Sequence, residues 1–586
     1  PTLAPTPHMS TRDAENGKAV FGGRALREAP RSRQTTPSTG RDTTTVPTPA
    51  PTQSADICIV LQKDIYSWGG LDTNDEDAGE TGVWDDGLYL DGRTGEALDP
   101  NLVRLAECEE IAFLKRINLY VETDVAECWA NTGKAPISTK WVKVNKGTVE
   151  APEVRCRLVA RDFKPKGEKD KGDLFAAMPP LEAKKALFQQ AVNENARNRA
   201  CGKEGIKLML IDVKKAHLNG VVGEDEYAYI ELPGEAGKSG KCGRLKRWLY
   251  GMRQAESAWE RDYTTKLEAL GFKKGLAAST VFYCESKGVR CVVHGDDFTF
   301  TGKRRDLFEI KRNLEEYYEL KMRAMLGGET EDDKEITLLK RTLIWTIGSI
   351  TFEADPKHVR EILSYFKFDS TSKGLRVPIV KETKEEVTEE EVELGPYVAT
   401  EFRGLAARAN YLSLDRPDIQ FATKEICREM AKPTERGMQK MKRLARYLLQ
   451  FPRIILEFNP NLEDDGIIDV YSDSDWAGCL RTRRSTSGGV MMLGNGVVKT
   501  WSNTQTTIAQ SSAEAEYDAL VRAAAEGLGM QSVMHDLGWK MRVRLWVDSS
   551  AAKSIASRIG LGRVRHLEVK FLWLQEIARD KRLELK

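Results

Sequence analysis

The segment VRCVVHGDDFTFT, residues 289–301, constrains this chain more than any other. Two apolar runs flank His294-Gly295-Asp296-Asp297, which predicts two strands of a buried sheet joined by a four-residue turn. That turn carries two adjacent carboxylates. A further apolar run, Ile206–Val213, interrupted by Lys207, predicts a buried strand with Asp212 at its end. Taken singly, an Asp at a strand end is a turn former, and an Asp pair in a hairpin solvates the turn. Together they meet a specific need. Carboxylates at the tips of adjacent strands can bridge two hard divalent cations, and the metals offset their mutual repulsion. Such a pair of ions serves nucleotidyl transfer, in which a 3′-hydroxyl is deprotonated and a pentacovalent phosphate is stabilised.

A second acidic set lies beyond Asn459–Gly466, which reads as a linker. Ile467–Ser472 predicts a strand leading to Asp473 and Asp475. Ser487–Leu493 and Val497–Trp501 predict a hairpin across Asn495-Gly496. Ser511-x-x-Glu514 is a capping box opening a helix to about Leu537, and Arg542–Val547 predicts a strand reaching Asp548. Helices follow at 549–558 and 566–579. Residues 514 and 516 stand about 200° apart on a helix, so with Glu514 assigned to the cap, Glu516 is left for a site with Asp473 and Asp548.

Elsewhere, helices are expected over Leu102–Leu119, Leu181–Ala196, Trp259–Leu270, 307–322 and 402–450, with strands at Ser138–Val144 and Val154–Asp162. With 586 residues, 41% apolar and 30% charged, the chain has core material for three or four domains of about 150 residues each. No run nears ~18 apolar residues, so no membrane span is expected. The start, PTLAPTPHMS, has no signal-peptide pattern, so secretion is not expected. The ten cysteines are scattered without a CxxC pair, which fits a reducing compartment and excludes zinc-finger spacing. A net charge of +1 hides a basic run over 140–171, a second from Lys440 to Arg446 suited to duplex backbone, and an acidic run over 381–393 that reads as a solvated face. Trp141, Trp248, Trp259 and Trp476 read as core residues before base-stacking ones.

At RCRLVARDFKPKG (155–167), IDVKKAHLNG (211–220), LKRWLYGMRQAESAW (245–259), LEALGFKKG (267–275), VVHGDDFTFTG (292–302) and YLSLDRPDIQFA (411–422) the chain resembles the reverse transcriptase of Ty1/copia-type retrotransposon Pol polyproteins. SDSDWAG (472–478), RRSTSGG (483–489), SSAEAEYDAL (511–520), LWVDSSAA (545–552) and RHLEVKFLWLQE (565–576) resemble the ribonuclease H of the same family. The resemblance covers roughly 102–586. It implies an α+β and α/β multidomain chain, with a right-hand polymerase of fingers, palm and thumb followed by a ribonuclease H-like mixed-sheet domain. The expected division is a disordered linker at 1–56, an acidic segment at 57–100, fingers and palm at 101–325, thumb or connection at 326–460 and the ribonuclease H-like domain at 461–586.

The resemblance further implies Asp212, Asp296 and Asp297 as the polymerase triad, the first two the stronger metal ligands. It implies Arg157 and Arg161 near the triphosphate, His217 against the sugar, and Gln254 against the incoming nucleotide. Asp473, Glu516 and Asp548 would be the ribonuclease H carboxylates, with Glu568 a candidate fourth ligand that also reads as an ordinary helix-start carboxylate. Two Mg²⁺ per site, replaceable by Mn²⁺, would be the cofactors. RNA template, DNA primer, RNA–DNA hybrid, dNTPs and other polyprotein segments would be the partners, in a cytoplasmic virus-like particle or the nucleus. Four positions depart from the family: His294-Gly295 replaces Tyr-Val, His217 replaces an aromatic residue, and Glu256 replaces proline. They support an alternative reading, a degenerate or co-opted copy that binds nucleic acid without catalysis.

Overall fold

The computed structural model describes residues 89–148, 150–163, 178–234, 240–388, 390–463, 466–560 and 569–586. The expected linker at 1–56, the acidic segment up to residue 88, Lys164, Lys166, Lys169, Lys171 and Glu568 lie outside the described residues.

Helix α1, Pro100–Arg116, begins where the Asp99 carboxylate accepts from the N–H groups of Asn101 and Leu102, with proline at its first position. Strands β1, Thr139–Asn145, and β2, Val154–Ala160, form an antiparallel ribbon. Helix α2, Leu181–Ala200, is buried on every side from Ala183 to Asn193. An enclosed helix needs no polar stripe, which is why its sequence shows little amphipathic pattern.

The first acidic set stands on a six-stranded antiparallel sheet. It contains β3 Ile206–Val213, β4 Val281–Cys284, β5 Val289–His294, β6 Asp297–Lys303 and β7 Leu320–Leu326, in the order β7-β3-β6-β5-β4 with Lys273–Lys274 at the edge. Helices α3, Ala255–Ala269, and α4, Arg304–Glu315, cover one face through Met209, Ile211, Phe298 and Phe300. Leu208, Leu210 and Val292, alternating with these, meet α2 on the other face. Two expectations change here. The helix expected over 307–322 ends at Glu315, because 320–326 is recruited as the strand beside β3. The four-residue turn shortens to two, because His294 pairs with Asp297.

Residues 326–460 hold a four-stranded sheet the sequence did not announce: β8 Glu335–Leu338, β9 Arg341–Trp345, β10 Ile350–Glu353 and β11 Ile455–Phe458. Helices α5 Pro356–Tyr365, α6 Pro396–Ser413, α7 Gln420–Cys427 and α8 Glu435–Gln450 pack beside it around Phe402, Leu405, Ile426 and Leu444.

The second acidic set stands on a five-stranded mixed sheet. Strands β12 Ile467–Asp475, β13 Thr486–Leu493 and β14 Gly496–Thr504 are antiparallel, and β15 Arg542–Trp546 and β16 Glu584–Leu585 run parallel to β12, in the order β14-β13-β12-β15-β16. Helices α9 Ser512–Asp536, α10 Ser550–Ser557 and α11 Val569–Arg579 complete it. Leu493 pairs with Gly496, so the turn is Gly494-Asn495 rather than Asn495-Gly496. Gly494 supplies the positive φ, 53°. Gly496 serves a different purpose: a Cβ there would overlap Gln189 Oε1 and the Phe458 ring. One core runs from α2 through β10 and β11 into β12, β14 and α9. Polar contacts reinforce it. Gln189 Nε2 donates to Asn459 O at 2.7 Å, and Lys499 bridges Glu182 at 2.5 Å and Glu526 at 2.8 Å. The nine described cysteines are free thiols, and no described helix is long and apolar enough to cross a membrane.

Candidate active sites

The turn of the first site is held from behind. Gly295 occupies its first position at φ 63°, a sense that only glycine adopts without strain. Its carbonyl accepts from Trp259 Nε1 at 2.9 Å. Trp259 is 2% exposed and meets Tyr263, Tyr318 and Phe298 edge-on at 5.3, 5.2 and 6.3 Å. The Val213 N–H donates to Asp296 O at 3.0 Å, and Asp297 pairs with Asp212 across β6 and β3. The three carboxylates therefore share one end of the sheet. Burial by the surrounding segments, then Asp297 and Asp212, push the Asp296 carboxyl up to about 6, although its side chain still reaches solvent. Burial and then Asp297 push Asp212 up as well. Like charges crowded this way suit a bound cation. Asp297 is already answered by protein: Arg323 Nη1 lies 3.1 Å from its Oδ1, and Arg323 Nη2 donates to Thr337 O at 2.6 Å.

The four expected nucleotide-side residues behave unequally. Arg157 lies over the Tyr250 ring, 5.4 Å from its centroid, and Tyr250 lies 6.1 Å from the His217 ring. Tyr250 joins the site without having been singled out. Its position follows from Gly251, whose φ is 79° and where a Cβ would overlap Ala160 O. That close approach lets Ala160 N donate to Tyr250 O at 2.8 Å. His217 sits on a single 3₁₀ turn, Ala216–Asn219, entered through Lys215 at φ 53°. Lys215 is tied to Glu110 at 2.5 Å. Burial, then Arg157, pull His217 down to about 4, so its ring is neutral at pH 7. Arg161 is exposed, and only its backbone N–H, donating to Ser138 O at 2.8 Å, links it to the ribbon. Gln254 caps α3, with its Oε1 buried and unpartnered. Glu256 lies in the first turn of the same helix, its carboxyl pushed up by burial. His294 is buried and pulled down to about 3 by burial, then by Lys184 and Arg341.

At the second site the carboxylates converge. The parallel pairing of Tyr471 with Trp546 brings the ends of β12 and β15 side by side, and with them Asp473 and Asp548. Ser511 Oγ accepts from Glu514 N at 3.3 Å, and Glu514 Oε2 accepts from Gln510 N at 2.9 Å. Glu514 is thus spent on the helix start, as its spacing predicts. Glu516, two residues on, accepts from Ser474 N at 3.1 Å and Ser474 Oγ at 3.0 Å through Oε1. Its Oε2 is buried without a hydrogen-bond partner. Burial raises the Glu516 carboxyl, Ser474 opposes, and Asp473 and Asp548 raise it further. Ligand oxygens of Asp473, Glu516 and Asp548 all lie within 4.8 Å of one another, the one such acidic group among the described residues. An orphaned buried oxygen amid two exposed carboxylates is a donor set suited to a hard divalent ion. Asp475 is a neighbour only, accepting from Thr486 N at 2.5 Å.

Trp248 and Trp259 are core residues, whereas Trp476 is 55% exposed, its indole donating to Ala509 O at 3.1 Å. Lys440 does not face phosphate: it pairs with Glu382 at 2.8 Å and Glu429 at 2.5 Å. Nor is the acidic run merely solvated, since Glu382 forks Arg481 at 2.8 and 2.9 Å and Glu391 also pairs with Arg481. Charge runs are ambiguous because sequence cannot say which runs meet.

Residues 128–342 match the family described as reverse transcriptase (RNA-dependent DNA polymerase). The chain is 23% identical over 524 residues to the retrovirus-related Pol polyprotein from transposon TNT 1-94 of Nicotiana tabacum, covering 85% of this chain and 37% of that protein. It is 24% identical over 465 residues to the Pol polyprotein from transposon RE1 of Arabidopsis thaliana, covering 75% and 29%. The chain thus spans about a third of the length of these curated relatives. Among solved structures, a foamy viral protease-reverse transcriptase in complex with an RNA/DNA hybrid aligns with TM-score 0.41 and 10% identity, over 82% of this chain and 53% of that one. Over residues 128–342 the chain carries a reverse transcriptase domain, and the TNT 1-94, RE1 and RE2 relatives are Ty1/copia-type retrotransposon Pol polyproteins.

Proposed function

We propose that this chain is an RNA- and DNA-directed DNA polymerase with a second site that cleaves RNA in RNA–DNA hybrids, serving retrotransposon replication. The observation that carries the reading is the repeated arrangement of carboxylates at adjacent strand ends, once in the matched domain and once on the mixed sheet. Divalent ions, Mg²⁺ or Mn²⁺, would supply Lewis-acid activation of the attacking oxygen and charge neutralisation at phosphorus. Asp212 and Asp296 would hold them at the first site, and Asp473, Glu516 and Asp548 at the second. Arg157, braced on Tyr250, faces the triphosphate, and Arg161 extends the same ribbon. His217, a neutral planar ring fixed by the 3₁₀ turn, stands against the sugar, with Gln254 beside the base. At the second site Ser474 holds Glu516 through Oε1 beside the two aspartates, leaving Oε2 available. Template, primer, hybrid and dNTPs are the proposed partners, together with other segments of a Pol polyprotein, in a cytoplasmic particle or the nucleus.

Primer extension on an RNA template, with dNTP and rNTP compared, tests the first site, and a labelled hybrid tests the second. Asp296→Asn is expected to abolish extension alone, and Asp473→Asn cleavage alone. A folded protein that extends no primer with either metal sinks the polymerase reading. A second reading, a copy that binds nucleic acid without catalysis, is favoured by one observation: the first set does not converge as the second does, and Asp297 is engaged by Arg323. It predicts salt-dependent hybrid binding with no extension.

A further inference from the structure

Among the described residues three lysines are buried, and two have a carboxylate within bonding distance. Lys185 lies 3.1 Å from Asp415, and Lys207 lies 2.5 Å from Asp332. Lys184 is the exception. It is 1% exposed, and its Nζ has no hydrogen-bond partner. An ammonium taken out of water is costly unless an opposite charge answers it.

The topology supplies that charge. Helix α2 packs on the face of the sheet that carries Leu208 and Leu210 of β3. By the two-residue alternation, Asp212 belongs to the same face. Register then places Asp297, opposite Asp212, and His294, opposite Asp297, on that face too. The carboxylate that acts most strongly on Lys184 is that of Asp297, and burial with this opposing attraction leaves the ammonium at about 8. Arg323 reaches Asp297 from β7 at 3.1 Å. Arg323, Lys321 and Lys214 also act on Asp212 at longer range, but among the described residues Asp297 is the member of its set with a direct ion pair to a protein cation.

We propose that Lys184 is a positioning residue of the first acidic set: with Arg323 it keeps Asp297 as an internal counter-ion, leaving Asp212 and Asp296 as the pair that takes the divalent cation. This rests on the polymerase reading for its purpose but not for its test. The positive charge behind the set also opposes metal binding, so it trades metal affinity for a fixed Asp297.

The test uses the full chain with the second site silenced by Asp473→Asn and Glu516→Gln. Mn²⁺ binding is followed by the electron-spin resonance of free Mn²⁺ without nucleic acid, and thermal unfolding is followed in parallel. Lys184→Met is expected to tighten Mn²⁺ binding by about threefold or more, since a unit charge near the site is removed. Lys184→Ile, a second uncharged variant, is expected to do the same. Asp297→Asn is expected to weaken Mn²⁺ binding by less than about threefold, against a loss of ~30-fold or more for Asp212→Asn. Asp297→Asn is also expected to lower the melting temperature, or to prevent folding, and Lys184→Met in the same chain to recover it. Additive melting shifts with unchanged Mn²⁺ affinity in Lys184→Met would overturn the proposal, as would Asp297→Asn abolishing Mn²⁺ binding or wild-type binding too weak to detect. A chain that binds Mn²⁺ as described but extends no primer would refute the polymerase reading and leave the Lys184 assignment standing.

Discussion

Trp259→Phe isolates how the first site is aimed. The indole N–H is the side-chain donor that holds Gly295 O, at 2.9 Å, and Gly295 sets the turn that carries Asp296. Phenylalanine keeps an aromatic ring against Tyr263, Tyr318 and Phe298 but removes the donor and one ring. Loss of a hydrogen bond to this half-buried carbonyl costs about 1–3 kcal/mol. The smaller ring leaves a gap, and part of the edge-on contacts goes with it, at about 0.5–1.5 kcal/mol per aromatic pair. A total near 2–4 kcal/mol is expected, read as a lower urea midpoint with an unchanged slope. The turn gains freedom, and a displacement of about 1 Å at a reacting group costs ~100-fold in rate. Primer extension should therefore fall by about 10- to 100-fold in kcat/KM while hybrid cleavage at the second site, carried on β12, α9 and β15, changes less than about twofold. Equal loss of both activities would mean that Trp259 acts only through global stability. Extension at the wild-type rate would mean that the turn does not depend on the indole at all.

Glu516→Gln should abolish hybrid cleavage, leave primer extension intact and raise the melting temperature without added metal, because one of three crowded carboxylates becomes neutral. Millimolar Mg²⁺ should stabilise the wild type more than this variant in a thermal scan. The pH dependence has two opposed parts. Asp296 is raised to about 6, so the folded state holds its proton longer, and its contribution to stability falls as pH rises from about 4 to about 6. Glu382 is held down to about 2: burial opposes this, but Arg481 and Lys440 win. Its contribution is full above its unfolded value of about 4.3 and is lost as pH falls toward 2. Urea midpoints from pH 3 to 7 should therefore lose their low-pH decline in Glu382→Gln and their high-pH decline in Asp296→Asn. Gly496→Ala should cost about 1–3 kcal/mol, read by urea unfolding, because its Cβ overlaps Gln189 Oε1 and Phe458. A neutral result would mean that α2 and β14 are less closely apposed.

Both acidic sets were legible because each carboxylate ends an apolar strand or follows a helix cap, and these are local patterns. Glu516 was separable from Glu514 by helix periodicity and the capping spacing alone. What escaped depends on contacts between distant segments. Gly496 looks like a turn glycine, and only its approach to Gln189 shows why it is small. Residues 320–326 follow a helix with no break strong enough to mark them, and their pairing with β3 makes them a strand. The strands at 335–353 are four or five residues long, too short for periodicity to separate them from loops. Tyr250 was hidden because its value comes from Arg157 and His217, 93 and 33 positions away.

The two acidic sets differ in what answers their charge. At the second, Oε2 of Glu516 is buried without a partner and the other two carboxylates are exposed, so an added cation meets little competition. At the first, Arg323 and the field of Lys184 already act on Asp297. A cation arriving there must work with one fewer free carboxylate and against a positive background. Metal dependence should therefore separate the two activities within one polypeptide: hybrid cleavage should saturate at a lower Mg²⁺ concentration than primer extension, and Lys184→Met should narrow the gap by moving extension alone. Two Mg²⁺ titrations on one preparation decide this. Coincident midpoints in the wild type would mean that the protein cations around Asp297 do not weigh on the metal, whatever their part in holding the fold.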